Sequence, residues 1–242
     1  MRKNIPNFIT SLNLLSGCIA LVFAFDGELV MTSVFIGLGA FFDFIDGFAA
    51  RLLKVNSSIG KELDSLADVI TFGLVPGVVI YQLMQLDLSA PGFYVSKSPV
   101  FTFLAFLIPV FSAIRLAKFN TDTRQEEVFY GLPTPASALF LGSFPLVLMQ
   151  QKLPFGLSID GIHALITNFY VLASLTVLVS WLMVSEIRLF SLKFKSFDWE
   201  KNKVRYIFLG ISIALLVILH FVAMPLIIIL YVLLSVIFKD RT

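Results

Sequence analysis

The chain has 242 residues, of which 58% are hydrophobic and only 14% are charged, with a mean hydropathy of +0.92 and a net charge of +2. A soluble domain carries about 25% charged residues, so the composition argues against a water-soluble protein and predicts an integral membrane protein. A single cysteine, Cys18, excludes an intrachain disulfide.

Eight apolar stretches follow one another along the chain, each close to the length of about 20 residues that a membrane-spanning helix needs. The last two lie on either side of Met224-Pro225, where the chain forms either a long pair of spans or a hairpin. No linker or internal repeat divides the chain, so we predict an all-α fold, a polytopic membrane helical bundle that residues 1–242 form as one domain. The eight predicted transmembrane helices lie at about 8–25, 29–53, 60–85, 99–119, 133–150, 162–184, 204–221 and 223–238.

The basic residues are distributed unequally between the two sides of such a bundle. If the N-terminus lies in the cytoplasm and eight spans alternate, 16 of the 18 lysines and arginines fall on the cytoplasmic side, and only Lys97 and Lys152 lie outside. Cytoplasmic loops of membrane proteins carry such an excess of basic residues. Both termini are therefore predicted to be cytoplasmic, and the first span, which lacks a small-residue cleavage pattern, is predicted to be retained.

Residues 186–205, EIRLFSLKFKSFDWEKNKVR, combine six basic residues with aromatic and aliphatic ones. This composition is typical of an amphipathic stretch that lies on an anionic membrane surface. We interpret the segment as a juxtamembrane anchor rather than as part of a catalytic site.

Four aspartates lie inside the second and third predicted spans. Asp43 and Asp46 are three residues apart, so they share one face of a helix. Asp64 and Asp68 are four residues apart and share a face in the same way. Because a short connector joins the two helices, these run antiparallel, and the carboxylates are expected to converge about 12 Å below the cytoplasmic surface.

A carboxylate at the middle of a membrane helix costs about 2.5–3.5 kcal/mol, and clustered carboxylates also repel each other. A divalent cation would neutralise them, and ligands that are all oxygen suit Mg²⁺, Mn²⁺ or Ca²⁺ rather than zinc. Four carboxylates can hold one ion or two close ions, which is the arrangement of two-metal phosphoryl chemistry. The alternative is a proton or cation pathway, although transporters more often place such acids near the bilayer midplane on broken helices.

The acids belong to a longer pattern, D-x2-D-G-x2-A-R-x8-G-x3-D-x3-D, which runs from Asp43 to Asp68. This pattern resembles the signature of the CDP-alcohol phosphatidyltransferase family at every fixed position. The resemblance implies an enzyme that joins a CDP-activated lipid to a small alcohol and releases CMP. It also implies a divalent metal, Mg²⁺ or Mn²⁺, with one or two ions in the site.

Five further stretches are similar to the membrane-integral members of that family that use serine as the alcohol: IPNFITSLNLLSG, DVITFGLVPG, RLAKFN, YGLPTPASA and LMVS. The resemblance therefore implies CDP-diacylglycerol and L-serine as substrates, membrane lipid as the surroundings, a homodimer, and no nucleic-acid partner. Glycerol 3-phosphate, inositol and choline stay open as other acceptors, and a divalent-cation transporter stays open as another class of function.

The resemblance also assigns roles within the pattern. Asp43, Asp46 and Asp64 are expected to be metal ligands, and Asp68 is expected to be the general base that takes the proton of the serine hydroxyl. Asp68 can touch a metal ion as well. The residues expected to bind the CDP-lipid are Gly47, Ala50, Arg51, Gly60, Asn7, Thr10 and Asn13.

Two cations near the cytoplasmic end of the fourth predicted span, Arg115 and Lys118, are candidates to bind the serine carboxylate. Their other interpretation is membrane anchoring by basic residues at the end of a span. With these residues and the shallow aspartates, the active site is expected to face the cytoplasm from within the cell membrane.

Overall fold

The structure is a computed structural model, and it describes residues 4–55, 57–87, 94–95, 98–122, 129–190 and 198–238. These parts are mostly helical, which confirms the predicted all-α fold, and two short antiparallel ribbons accompany the helices. The elements in chain order are α1 (Asn4–Phe25), α2 (Leu29–Leu53), α3 (Ser58–Asp68), α4 (Val75–Met84), β1 (Tyr94–Val95), β2 (Ser98–Pro99), α5 (Leu107–Thr121), β3 (Phe129–Tyr130), α6 (Thr134–Gly142), α7 (Phe144–Met149), α8 (Asp160–Thr167), α9 (Phe169–Val184), β4 (Arg188–Leu189), α10 (Trp199–Leu219) and α11 (Ala223–Ile237).

The helices α1 and α2 form a pair joined by a tight turn. Gly27 has a φ of +80°, and the backbone N–H of Glu28 donates to the Phe23 carbonyl at 2.8 Å, which closes the turn. Small side chains on a membrane helix let neighbouring backbones approach closely, and α2 and α3 both pack against α1. The buried face of α1 consists of small and polar residues: Pro6, Thr10, Asn13, Ser16, Gly17, Ala20 and Ala24.

The span that contains α3 and α4 is the centre of the bundle. Its apolar window is 61% buried, against 33% or less in the other four candidate spans. Between the two helices the chain forms a π-helical segment, Val69–Leu74, and such segments often occur at functional sites. Thr71 in this segment lies so close to Gly17 and Gly39 that a Cβ at either glycine would overlap its side chain. Thr71 therefore fixes the end of α3 against both α1 and α2.

The predicted number of eight spans is not confirmed. Within the described ranges, five helices are long and apolar enough to cross a membrane. The number rises to six if α8 and α9, which are bent by 67° relative to each other, are one span. The predicted span at 133–150 corresponds to a shorter apolar helical stretch, Thr134–Met149, in which α6 and α7 meet at Ser143.

The longest candidate span, Asn202–Ile237, contains a reversal of the chain. The rings of Phe208 and Tyr231 are 6.0 Å apart between centroids. In a straight helix, 23 residues would separate two side chains by about 34 Å, so α10 and α11 fold back on each other. The hairpin alternative is therefore the one observed, and the reversal lies at His220–Val222, just before Met224-Pro225, with a φ of 52° at His220.

The second ribbon connects this hairpin to the rest of the bundle. β3 pairs with β4, and beyond the pair Gly131, with a φ of +74°, donates its N–H to the Ile187 carbonyl at 3.0 Å. The hydroxyl of Tyr231 on α11 donates to the carbonyl of Phe190 at 2.9 Å. The C-terminal hairpin thus holds the strand β4 in place.

The predicted amphipathic anchor, residues 186–205, is described only in part. It contributes β4 and the beginning of α10, whereas residues 191–197 lie outside the described residues. Its position on the membrane surface stays a prediction. Residues 1–3 and 239–242, which carry the predicted cytoplasmic termini, also lie outside the described residues.

Candidate active site

The connector between α2 and α3 brings the two acidic helix faces together. Lys54 follows the last residue of α2, and its φ of 50° and ψ of 43° place it in the left-handed region, where the chain turns away from the helix axis. Ser57 then begins α3 as its N-cap, and its hydroxyl accepts the N–H of Gly60 at 3.2 Å. The acidic residues of both helices consequently lie beside α1.

Three of the four aspartates form one compact group. Asp43, Asp64 and Asp68 each offer a carboxylate oxygen, and these three oxygens lie within 4.8 Å of one another. Asp68 is 5% exposed, and Asp64 Oδ1 is buried with no hydrogen-bond partner among the described residues. Like charges this close repel each other strongly in a buried site. The donor set, which is all oxygen, fits a hard divalent cation.

Asp46 has a different environment from the other three aspartates. Its carboxylate accepts the hydroxyl of Thr10 on α1 at 2.7 Å. The structure does not bring Asp46 into the compact group of three, although it is buried and interacts electrostatically with each of them. The predicted convergence of four carboxylates is therefore observed for three of them, whereas the fourth, Asp46, is hydrogen-bonded to α1.

Asn13 contacts the aspartate group rather than an open cavity. Its side-chain amide donates to Asp68 Oδ1 at 3.2 Å, and its backbone carbonyl accepts the Thr71 hydroxyl at 3.1 Å. Asn13 is thus fixed on both sides and orients the Asp68 carboxylate. No role for Thr71 could be predicted from its own neighbours in the sequence, and Gly17 and Gly39 are the residues that could have indicated a close contact there.

A cavity of about 510 Å³ opens beside the aspartate group, and we call it the first cavity. Four of the predicted CDP-lipid residues line it, together with Asp64. A Cβ at Gly60 would lie 2.8 Å from Asn7 Oδ1, so a larger residue would fill this wall of the cavity. The lining residues are Pro6, Asn7, Thr10, Ala50, Val55, Ser57, Ser58, Gly60, Lys61 and Asp64.

Gly47 and Arg51 are not among the residues that line the first cavity. Arg51 is exposed near the end of α2, and a Cβ at Gly47 would lie 3.4 Å from its Nη1. The side chain of Arg51 therefore lies over Gly47 on α2 and is exposed.

A second, smaller cavity of about 210 Å³, which we call the second cavity, is lined by both residues predicted to bind the serine carboxylate. Arg115 is only 6% exposed, its guanidinium lies 5.7 Å from the Phe119 ring centroid, and its Nε is buried without a hydrogen-bond partner in the described ranges. Arg115 also interacts electrostatically with Asp68, which links this second cavity to the aspartate group. The lining residues are Arg115, Lys118, Thr121, Asp122, Tyr130, Met183, Val184, Ser185 and Glu186.

Residues from β3 and from the end of α9 were not predicted to belong to the site. Tyr130 and Glu186 line the second cavity, and the guanidinium of Arg188 lies 5.7 Å from the centroid of the Tyr130 ring. Tyr130 and Glu186 are distant from Arg115 in the sequence, so no local sequence pattern could have indicated that they line the same cavity as Arg115.

Comparison with known proteins identifies a family for most of the chain. The family model described as CDP-alcohol phosphatidyltransferase matches residues 3–184. The match includes the four aspartates and Arg115, and it ends at the last residue of α9.

Several curated proteins are similar to this chain. A CDP-diacylglycerol–serine O-phosphatidyltransferase of Helicobacter pylori is 32% identical over 197 residues, which cover 81% of this chain and 74% of that protein. A protein of the same name from Mycobacterium leprae is 34% identical over 63% of this chain and 48% of its own length. An archaetidylserine synthase of Methanothermobacter thermautotrophicus is 31% identical over 62% of this chain and 60% of its own length.

Proposed function

The chain belongs to the CDP-alcohol phosphatidyltransferase family, and we propose that it transfers the phosphatidyl group of CDP-diacylglycerol to the hydroxyl of L-serine. The products are phosphatidylserine and CMP. The observation that carries this proposal is the group of three carboxylate oxygens within 4.8 Å of one another. The names of the similar proteins support serine, since two relatives are named for transfer to serine and a third as an archaetidylserine synthase.

Asp43, Asp64 and Asp68 would hold one or two divalent cations, Mg²⁺ or Mn²⁺, with Asp46 as a further ligand that the Thr10 hydroxyl positions. The orphaned Asp64 Oδ1 supports this assignment, because a buried carboxylate oxygen needs a partner. When bound, the metal supplies positive charge that stabilises the pyrophosphate as CMP leaves.

The chain's own residues carry the proton and position the substrates. Asp68, oriented by Asn13, accepts the proton of the serine hydroxyl. The serine oxygen forms a bond to the phosphorus of the phosphatidyl group, and the bond between this phosphorus and the oxygen of CMP breaks. The CDP headgroup occupies the first cavity, and the exposed guanidinium of Arg51 pairs with a phosphate.

The proposed position of serine is the second cavity. Arg115 is a buried cation, and a substrate carboxylate would supply the partner that its Nε lacks in the described ranges. Lys118 is exposed at the same cavity and adds a second positive charge.

The acceptor is tested most simply by competition. Purified protein in vesicles with CDP-diacylglycerol receives equal concentrations of serine, glycerol 3-phosphate, inositol and choline, and mass spectrometry identifies the lipid product. We expect phosphatidylserine. A different phosphatidyl ester as the main product would overturn serine as the acceptor but not the reaction type.

Two arginine variants are expected to affect different substrates. Arg115→Ala should raise the KM for serine by more than tenfold, because loss of one charge-assisted pair in a buried site costs about 2–5 kcal/mol. Arg51→Ala should raise the KM for CDP-diacylglycerol instead and leave the KM for serine within a small factor. Initial rates of CMP release at varied serine and varied lipid measure both values.

Each arginine variant serves as the control for the other, since general misfolding would not separate the two substrates. If both variants change the same KM, or if Arg115→Ala behaves like the wild type at limiting serine, then serine is bound elsewhere.

For the membrane arrangement we propose eight crossings, with both termini and the active site on the cytoplasmic side. The reversal at His220–Val222 supports α10 and α11 as two spans. Together with α6–α7 and the bent pair α8–α9, the five candidate spans then become eight. The homodimer implied by the family resemblance stays a prediction.

A reporter fused after Thr242 is expected to read cytoplasmic, and one inserted at Ala90 is expected to read external. Both positions lie outside the described residues. The side of the membrane on which each reporter lies is measured in intact cells by protease accessibility or by cysteine labelling. The activity of each tagged protein, compared with that of the untagged protein, is the control for correct insertion. A cytoplasmic signal at Ala90 would contradict the alternation of eight spans.

A further inference from the structure

We infer that the second cavity recognises its acceptor as an α-amino acid zwitterion, with Glu186 and the carboxyl end of α9 binding the ammonium group. This inference rests on the proposed function and extends it from the carboxylate of the acceptor to its amine. It assigns Glu186 as the residue that distinguishes serine from acceptors without an amino group.

The second cavity has charge of both signs, and besides Glu186 it has a second carboxylate, Asp122, directly after α5. Arg115 and Lys118 belong to α5, whereas Glu186 follows the end of α9. An acceptor that carried only a negative charge would be repelled by Glu186, and one that carried only a positive charge would be repelled by Arg115. A zwitterion fits both sides at once, with its carboxylate at Arg115 and its ammonium group at Glu186.

The end of α9 adds negative potential on the same side as Glu186. α9 has 16 residues and ends at Val184, and Met183, Val184 and Ser185 line the cavity. The carboxyl end of a helix carries a partial negative charge that favours a cation nearby. The Leu182 carbonyl already accepts the Leu132 N–H at 2.9 Å, which holds this end of the helix in place beside the cavity.

Burial differs between the two ends of the second cavity, and this difference determines where the carboxylate, the ammonium group and the hydroxyl of a bound serine lie. Arg115 is buried, 6% exposed, and belongs to α5, which packs against α3 and against the π-helical segment after Asp68, so its end of the cavity lies toward the aspartate group. Glu186 is exposed and lies at the rim. A serine with its carboxylate at Arg115 and its ammonium group at Glu186 is anchored at two points, and its hydroxyl is then free to reach Asp68.

The size of the cavity suits a small acceptor. Its volume of about 210 Å³ lies below the range of about 300–1,000 Å³ that is usual for drug-sized ligands. A lipid or a nucleotide belongs in the larger first cavity, and the second one has room for a compact metabolite with two charged groups.

The test uses full-length protein in vesicles that contain CDP-diacylglycerol, with Mg²⁺ present. Glu186→Gln is expected to raise the KM for serine by at least tenfold, while kcat and the KM for CDP-diacylglycerol stay within about twofold, because the lost interaction concerns acceptor binding. Glu62→Gln, the same substitution at an exposed position of α3 that lines neither cavity, is the matched control and should behave like the wild type.

Two analogues of serine separate ammonium binding from a general disturbance of the cavity. 3-Hydroxypropanoate is serine without its amine, and because Glu186 repels an anion, its inhibition constant should be no higher for Glu186→Gln than for the wild type. Ethanolamine is serine without its carboxylate, and it should inhibit Glu186→Gln less than the wild type. Equal weakening of 3-hydroxypropanoate and serine by Glu186→Gln would overturn the inference, because it would indicate structural damage.

Different results would contradict ammonium binding by Glu186 and the proposed transfer to serine. An unchanged KM for serine in Glu186→Gln, with normal serine-dependent CMP release, would overturn ammonium binding by Glu186 and leave the proposed function intact. The absence of serine-dependent CMP release in the wild type would overturn the proposed function and this inference together.

Discussion

Asp64→Asn is expected to lower kcat for CMP release by about a hundredfold to a thousandfold or more, since a carboxylate that would hold the cation beside the transferring phosphoryl group is lost. Asp64 contributes to the group of three oxygens within 4.8 Å, and its Oδ1 has no hydrogen-bond partner among the described residues. The amide that replaces it has a similar shape but no negative charge for a cation. Asp43→Asn, in the same group, is expected to have an effect of the same size.

The measurement is the initial rate of CMP release by purified variants after EDTA treatment and return of Mg²⁺. Asp26→Asn is the matched control, since Asp26 lies in the connector between α1 and α2, away from the aspartate group. Full activity of Asp64→Asn under these conditions would rule out Asp64 as a metal ligand. Retention of the variant in the membrane at wild-type level shows that the loss is not one of folding.

Asp68→Asn is expected to lower kcat by about a hundredfold to ten-thousandfold, the range that a positioned acid or base contributes. The KM for serine should change far less, because Asp68 is proposed to act on the serine proton rather than to hold the amino acid. Asn13→Ala removes only the 3.2 Å hydrogen bond that orients Asp68, so its effect on kcat should be smaller and of the same kind.

Rates at saturating serine and saturating lipid give the two kcat values. The expected order of activity is wild type, then Asn13→Ala, then Asp68→Asn. An Asp68→Asn variant that retains a tenth or more of wild-type kcat would contradict its role as the general base. An Asn13→Ala variant that is less active than Asp68→Asn would mean that Asn13 does more than orient this carboxylate.

The meeting of Asp43, Asp64 and Asp68 could be predicted from the sequence because it depends on local geometry. Helical spacing puts the acids of each helix on one face, and a short connector makes the two helices antiparallel. The separate environment of Asp46 depends on how α2 is rotated against α1, which brings it within 2.7 Å of the Thr10 hydroxyl. That rotation is set by packing between helices and leaves no mark in the spacing of the acids.

The π-helical segment after Asp68 could not be predicted, since patterns of hydrophobic residues are interpreted with the period of an α-helix. The residues that could indicate this segment are distant from it in the sequence. Gly17 on α1 and Gly39 on α2 make room for Thr71, and each glycine alone has the ordinary interpretation of close helix packing.

The second cavity was predicted only through Arg115 and Lys118. In the sequence, Glu186 belongs to the predicted amphipathic anchor, because its neighbours are basic and aromatic. Its place in the cavity that Arg115 also lines depends on the pairing of β3 with β4 and on Tyr231, which donates to the Phe190 carbonyl. These are contacts between distant parts of the chain, and Tyr231 lies beyond the residues that the family model matches.

We propose that the aspartate group catalyses a metal-dependent transfer to serine. The most direct measurement is CMP release by the wild-type protein in sealed vesicles with CDP-diacylglycerol, titrated with serine and Mg²⁺ together, with a metal-sensitive dye inside the vesicles. We expect CMP release only when serine and the metal are both present, one phosphatidylserine for each CMP, and no entry of metal into the vesicles. Metal entry without serine-dependent CMP release would contradict the claim and indicate a cation transporter instead.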